Sequence, residues 1–494
     1  MNALLVYPQF PDTYWSFRYA LSFQGKRAAQ PPLGLMTVAA LLPQSWNRRL
    51  VDTNVERLKD SDLAWADVVL LSGMHIQHQN LLSIVRRCRE HGVRTIVGGP
   101  MTSSIPAVEL EADHVVIGEA EDIIADLARD LDAGTARPVY QAAERPALDH
   151  SPLPDLSLIR MNRYNTMTVQ YSRGCPFNCE FCDIIEIYGR RPRIKPVARV
   201  LAEFDQLYDA GWRGSVFIVD DNFIGNKVRV RDLLKAMTEW QQARRSPFRF
   251  ITEASLNLAD DHNLLQSMKD AGFASVFVGI ETPDESSLAA TNKLQNTRRN
   301  LLDSIAAIQK YGIEVMGGFI LGFDTDREDI FDRMVEFIQK SAIPIAMVGL
   351  LQAMPGTQLF RRLSHEGRIL NAGGGNNTSS DLNFLPRMNA KRLVEGYRSV
   401  LQQIYSREAY YARVQAFLER CRPQSQSHLS LQNVRAMLLS ILRQGVLDKA
   451  RLTYWKFVLL AATRYRKHFG AAMTLAVMGY HFQIITEQNL RSQT

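Results

Sequence analysis

At 494 residues the chain exceeds one ordinary domain and has room for two or three, each with a sizeable core. With 46% hydrophobic and 22% charged residues it reads as globular, and five cysteines are too few for a disulfide framework, so a reducing cytoplasm is the expected compartment. The net charge of +7 is a mild bias that suggests no nucleic-acid partner, and neither the opening "MNALLVYPQF" nor any later run has the form of a signal peptide or a membrane span.

Residues 1–133 alternate short β-branched segments ("ALLVYPQF", "RRLVDTN", "DVVLLSG", "TIVGGP", "HVVIGEA") with helical runs such as "PPLGLMTVAALLP" and "HQNLLSIVRRCREHG". The alternation predicts a doubly wound, Rossmann-like α/β domain whose ligand binds beyond the carboxyl ends of its strands. Those ends lead into the loops 72–79, 98–104 and 118–122. Gly98 and Gly99 would admit a bulky planar ligand close to the backbone, or would simply turn the chain. Residues 134–160 hold four prolines without periodicity and predict a linker.

Over 161–370 six further strands alternate with helices: "TMTVQYS", "SVFIVDDN", "RFITEASLN", "SVFVGIET", "VMGGFILGFD" and "AMVGLLQAMPG". This predicts a partial (β/α)6 TIM-like barrel with its site at the C-terminal strand ends. Polar residues gather there: Asp220, Asp221, Asn222, Glu253, Ser255, Asn257, Glu281, Thr282, Asp324 and Asp326. Residues 371–494 open on a glycine-rich loop, "NAGGGNNTSS", and continue as helices with a break at "CRPQSQSH". Between 431 and 470 stand eight cations (Arg435, Arg443, Lys449, Arg451, Lys456, Arg464, Arg466, Lys467), one acid, Asp448, and the aromatics Trp455, Phe457, Tyr465 and Phe469. The segment reads either as a basic amphipathic surface for a membrane or an acidic partner, or as a helical cap with a solvated face. The apolar run from Phe469 to Thr486 is a poor span because Thr474, Gly479, His481 and Gln483 interrupt it.

Three of the five cysteines fall within "RGCPFNCEFCDI", as Cys175, Cys179 and Cys182 in a C-x3-C-x2-C spacing. Three thiolates on one loop can wrap three corners of an iron–sulfur cubane and leave the fourth iron open for a ligand. Gly174 and Pro176 would shape that loop, and Arg173 would offer positive charge beside an anionic cluster. A structural zinc site needs a fourth ligand, and the nearest histidines in sequence are His150 and His262; a redox pair would have no use for Cys175.

"CPFNCEFC" resembles the signature of the radical S-adenosylmethionine (SAM) superfamily, C-x3-C-x-aromatic-C, with Phe181 in the aromatic slot. The resemblance implies a 4Fe–4S cluster on the three cysteines, SAM chelated to the open iron, and reductive cleavage of SAM to a 5′-deoxyadenosyl radical. It also implies an electron donor such as flavodoxin or ferredoxin. Carried to the later strands, it assigns Ser255, Asn257 and Glu281 to polar contacts with SAM, and Ile320 with Gly322 to adenine packing.

Residues 1–133 resemble the cobalamin-binding domain that precedes many such barrels, through "QPPLGLMTVAALLP" and "DHVVIGEAED". No D-x-H-x-x-G occurs, so cobalt is expected to lack a histidine ligand from the protein, although His75 and His78 lie in a suitable loop. A fold that no longer holds cobalamin is the alternative. Cys88 and Cys421 are too few for an auxiliary cluster, which argues against methylthiolation. Both ends of the chain are similar to the cobalamin-dependent radical SAM group that contains the hopanoid C-2 methylase. That likeness implies methylation of an unactivated carbon of an apolar, lipid- or isoprenoid-like small molecule through methylcobalamin, at the inner face of the membrane or free of it. Cyclisation or rearrangement of a tetrapyrrole or antibiotic precursor is a second enzymatic reading, and a cobalamin or SAM sensor without turnover a third.

Overall fold

The structure, a computed structural model, describes residues 1–376, 378–421 and 431–491. Apart from Cys421, the break expected at "CRPQSQSH" lies outside the described residues. Strand β1 (Asn2–Tyr7) is an apolar run whose residues Ala3 to Val6 are fully buried, as a strand covered on both faces requires. It pairs in parallel with β2 (Asn47–Asp52) and β3 (Val68–Ser72). Then β4 (Arg94–Gly98), β5 (His114–Ile117) and β6 (Val139–Gln141) complete the order β2-β1-β3-β4-β5-β6. The order reverses between β1 and β3, which opens a crevice at their carboxyl ends. Leu35, Met36 and Leu127 cover one face of the sheet and Leu81, Val85 and Cys88 the other.

Strand β6 corrects the expected linker, because it falls inside 134–160. Tyr140 is buried under the sheet and its hydroxyl donates to Asp130 Oδ2 at 2.9 Å. A three-residue strand among prolines leaves no periodicity to read.

The second sheet holds the other six predicted strands. After β7 (Thr166–Val169) a two-residue ribbon, β8 (Ser172–Arg173) against β9 (Arg193–Ile194), encloses the cysteine loop. Strands β10 (Ser215–Ile218), β11 (Arg249–Glu253), β12 (Phe273–Glu281), β13 (Glu314–Leu321) and β14 (Ala346–Leu350) follow, all parallel, in the order β14-β13-β12-β11-β10-β7. Neither β7 nor β14 has a second neighbour, so the barrel is open.

Residues 13–29 and the C-terminal helices bridge the two edges. Ala29 O accepts from the Thr166 N–H at β7, while Tyr405 donates to Ala346 O at β14. Between them the buried Tyr14 packs on Tyr405 and Phe482. The helix Phe469–Arg491 is long and apolar enough to cross a membrane by length and composition. It is nonetheless a core helix, with Leu475, Ala476, Phe482 and Ile485 buried and Gly479 leaving room for the Tyr410 ring.

His481 fastens this helix to the N-terminal segment. Its Nε2–H donates to Tyr14 O at 3.0 Å, its Nδ1 has no partner, and burial lowers its pKa to about 4. A histidine whose folded pKa lies below the ordinary 6.5 contributes stability that is intact above pH 6.5 and lost as pH falls toward 4. Exchange for Gln keeps a donor but cannot titrate. His481→Gln should therefore show a smaller fall in melting temperature than the parent between pH 6.5 and 4.5, measured by scanning calorimetry.

Candidate active site

The cysteine loop leaves the ribbon through Gly174, whose φ of +97° and whose missing side chain, 2.8 Å from Gly189 O, exclude any other residue. Its N–H donates to Asp221 Oδ2 at 2.8 Å, and the Cys175 N–H donates to Gly189 O at 3.2 Å. Beyond the turn, Glu180 is held by Arg362 (Nε to Oε1, 2.5 Å). The loop is thus pinned before the first thiol and after the second.

Side-chain amides point at two of the thiols. Asn222 Nδ2 lies 3.8 Å from Cys175 Sγ and Gln295 Nε2 lies 3.6 Å from Cys179 Sγ. Asn222 also donates to Ser255 Oγ (3.2 Å), whose hydroxyl donates to Asn257 Oδ1 (2.7 Å). Cys175, Asn222, Ser255 and Asn257 therefore form one connected group.

A second group surrounds Cys179 and Cys182. Lys293 Nζ donates to Glu281 Oε1 at 2.5 Å and stands 5.9 Å from the centre of the Phe181 ring. Burial alone would lower the Lys293 pKa, but Glu281, Cys179 and Cys182 hold it above its ordinary value. Burial in turn raises the Cys175 and Cys182 thiols, with Lys293 opposing the rise in both. Glu281 takes the left-handed φ of +68° at a register shift in β12. Such a conformation costs a non-glycine residue about 1–2 kcal/mol. Asn296 fixes it by donating to Gly279 O and Ile280 O, and a side chain on Gly279 would meet both Glu281 and Lys293.

Three carboxyl groups, Asp220 buried and Asp221 and Glu253 half-buried, complete the rim. Burial lifts Asp220 to about 7, Asp221 to about 6 and Glu253 to about 8. Asp220 accepts from the Tyr171 N–H and the Ser172 hydroxyl, so it braces the approach to the cysteine loop. Glu253 pairs in register with Phe277 and so shares its face of the sheet.

The remaining expected site residues divide. Ile320 joins Phe181 in the apolar cluster of Phe323, Leu351 and Phe384. Gly322 (φ +105°) turns the chain where Leu393 occupies the space of its missing side chain. A side chain on Gly99 would strike Ser72 Oγ at 2.4 Å, so this glycine serves strand packing, whereas Gly98 is in ordinary contact with Val116. His75 Nε2 bonds to Gly373 O at 2.9 Å, which draws the 371–376 loop over the crevice.

Arg173 departs from expectation. Instead of facing the thiols it reaches the first domain, donating to Glu119 Oε2 (2.5 Å) and Glu121 Oε1 (2.6 Å), and Arg193 takes the other Glu119 oxygen at 2.5 Å. The thiol-facing cation is Lys293. Sequence reasoning missed Lys293, Gln295 and Asn296 because they lie in a loop between helices, with no spacing that ties them to Glu281. It noted Asn222 as a strand-end polar residue but gave it no role.

The comparisons with known proteins match three regions of the chain. Residues 169–338 match the radical SAM superfamily, 28–128 the B12 binding domain and 357–494 a domain of unknown function, DUF4070. The chain is 41% identical over 489 residues to an uncharacterized methyltransferase of Synechocystis sp., covering 98% of this chain and 91% of that one. It is 36% identical over 470 residues to the hopanoid C-2 methylase of Rhodopseudomonas palustris, covering 92% and 88%. The chain belongs to the cobalamin-dependent radical SAM methyltransferase family. Two solved structures share the fold: the cobalamin-dependent SAM radical enzyme OxsB (TM-score 0.64, 14% identity, 99% of this chain and 80% of that one) and the radical SAM methyltransferase TsrM of Kitasatospora setae (0.61, 13%, 97% and 99%).

The family's cofactors are a 4Fe–4S cluster, SAM and cobalamin, and this chain's residues fit them. Three thiols on one pinned loop, with amide donors aimed at two of them, suit a cluster with one open iron. For cobalamin, His75 Nδ1 and His78 Nε2 are buried without partners at the carboxyl end of β3, where the crevice opens.

Exchanging Cys175, Cys179 or Cys182 for Ala should abolish the cluster's visible absorbance, while Cys88→Ala and Cys421→Ala, whose thiols are buried in the cores, should retain it. Lys293→Met should keep the iron content but lower the cluster's midpoint potential by about 60 mV, the equivalent of roughly 1.4 kcal/mol for one electron. Redox titration followed by electron paramagnetic resonance measures the shift, and Lys293→Arg should restore most of it.

Proposed function

We propose that the protein methylates an unactivated carbon of an apolar, lipid- or isoprenoid-like molecule held inside the barrel. The observation that carries this reading is the inner face of the sheet. Thr168, Phe217 and Ile251 are paired in register across β7, β10 and β11, and Glu253, Phe277 and Met316 across β11, β12 and β13. Residues so paired share a face, and Phe217, Ile251, Phe277, Met316 and Ile320 are half-buried there. Trp15, from the N-terminal segment, lies against Phe277 at 4.8 Å. The chamber wall is thus mainly aromatic and aliphatic, with Thr168, Ser275, Glu253 and Glu314 as its polar members.

The cluster supplies the electron that cleaves SAM, and cobalamin carries the methyl group. Cys175, Cys179 and Cys182 would hold the cluster, and Asn222 and Gln295 would donate to the Cys175 and Cys179 sulfurs. Ser255, Asn257 and Glu281 orient the polar groups of SAM, with Ile320 and Phe181 as apolar support. Desolvation raises the Glu253 carboxyl, which lowers its tendency to bring charge to the chamber. The loops after β3, β4 and β5 would hold cobalamin, and the Glu119 and Glu121 contacts to Arg173 set that crevice against the cysteine loop. The relatives named as methylases support this reading; the lipid class rests on the chamber and on the hopanoid C-2 methylase.

With reconstituted enzyme and an apolar isoprenoid acceptor, 5′-deoxyadenosine and S-adenosylhomocysteine should form together, with one methyl added per turnover. Deoxyadenosine without S-adenosylhomocysteine would favour rearrangement, and neither product would favour a sensor. Enlarging the polarity of the wall by Phe277→Asn should raise KM for the apolar acceptor at least tenfold while leaving cluster content unchanged.

Because no D-x-H-x-x-G is present, cobalt receives no protein histidine in this reading, and the unpartnered His75 Nδ1 and His78 Nε2 are the atoms against which it is tested. Electron paramagnetic resonance of the cob(II)alamin form should lack nitrogen superhyperfine splitting. Splitting that disappears in His75→Ala or His78→Ala would reverse the assignment.

A further inference from the structure

The helices 431–440 and 451–463, joined through a π-turn at Ile441–Val446, form a hairpin with two unlike sides. Its inner side is rigidly packed. Tyr454 bonds to Ser440 Oγ at 3.0 Å and Phe457 stacks on Tyr411 at 4.4 Å, whereas Trp455, whose Nε1 donates to Gly445 O at 2.9 Å, is 42% exposed. Its outer side is an apolar ridge left exposed among the described residues: Leu438, Leu447, Leu452 and Leu459 are 62%, 72%, 72% and 67% exposed, and Leu442 and Val446 are exposed as well. A single exposed leucine is ordinary, but a continuous ridge of them marks an interaction surface.

The structure also sorts six of the eight cations of this region; the other two, Arg466 and Lys467, are exposed beyond the end of the second helix. Arg443 donates to Ser22 Oγ, Arg435 lies against Gly25, and Arg464 pairs with Glu419, so these three hold the hairpin to the body of the protein. The one acid, Asp448, pairs with Arg407. Lys449, Arg451 and Lys456 are exposed beside the leucines and have no ion pair among the described residues. We propose that this ridge is a membrane-docking foot, with its leucines entering the interface of an anionic bilayer and Lys449, Arg451 and Lys456 meeting the lipid phosphates.

Charge decides between a bilayer and a second copy of the chain. A two-fold contact would bring the unpaired cations of both copies to one interface, where the hairpin's one acid, Asp448, is already paired with Arg407, and that is repulsive. An anionic lipid surface supplies the missing charge and takes up the leucines at once. The foot is also mechanically tied to the chamber: Arg443 grips the helix Arg18–Gln24, and the segment before that helix carries Trp15 to Phe277. The inference does not depend on the substrate reading, because docking needs no turnover.

The experiment is flotation of the full-length holoenzyme with phosphatidylglycerol/phosphatidylcholine vesicles and with phosphatidylcholine alone. The parent should float with the anionic vesicles at low salt and less at high salt. K449Q/R451Q/K456Q should bind about a hundredfold more weakly, since each cation near such a surface contributes about 1 kcal/mol. L442S/L447S/L452S should lose binding that persists at high salt. Both variants alter exposed side chains, and an unchanged melting temperature verifies their fold. Brominated lipid should quench parent fluorescence more than that of Trp455→Phe. Absence of flotation at low salt overturns the proposal. So does parent self-association, by sedimentation, that the leucine variant abolishes, since the ridge would then be a contact between copies.

Discussion

The interaction on which the rest of the structure depends is the sharing of Glu119 between Arg173 and Arg193, with Glu121 as the second partner of Arg173. Glu119 and Glu121 follow the strand end of the first sheet; Arg173 and Arg193 belong to the ribbon that brackets the cysteine loop. The four side chains are largely buried. Removing one partner from such a set strands a charge at low dielectric, at a cost of about 3–5 kcal/mol. The ion pairs therefore fix the crevice for one cofactor against the loop for another. His75 and Gly373 make a second, weaker closure on the same side.

Within the barrel, charge is placed by backbone strain. The left-handed Glu281, the bare Gly279 and the clamping Asn296 leave room for a carboxylate–ammonium pair beside the thiols. A buried cation there stabilises negative charge on the loop, and the more so as charge is added. Glu281 keeps the cation in place without neutralising the whole field. The strain is tolerated because the neighbouring sheet register already shifts at that point.

The open side of the barrel is closed by the two ends of the chain rather than by a seventh and eighth strand. Tyr14, Tyr405, Tyr410 and Phe482 pack as one aromatic block between the edges, and the buried Arg413 donates to Ile343 O and Ile404 O to hold the helices against β14. This arrangement leaves Trp15 inside the chamber wall and the hairpin outside. An apolar interior and an apolar exterior are thus joined through a single short helix, Arg18–Gln24.

Much of this was legible in the residues alone. Eleven of the twelve strands in the two large sheets announce themselves as short β-branched runs, and the cysteine loop by its spacing, because these signals are local and depend on a few adjacent side chains. Strand β6 escaped because three residues carry no period. Lys293 and Gln295 escaped because what gives them meaning is the nearness of Glu281 and Cys179, brought about by a bulge and a loop. Arg173 was read as facing the cluster because it adjoins Cys175 in sequence; the ribbon turns it the other way, toward two carboxylates some fifty residues earlier. Likewise, the count of basic residues in the C-terminal helices was plain, but which cations are paired and which leucines are bare was not. Sequence order determined the elements and the chemical groups available; the packing of distant elements alone decided which groups meet, since contact and burial depend on the fold and not on the spacing.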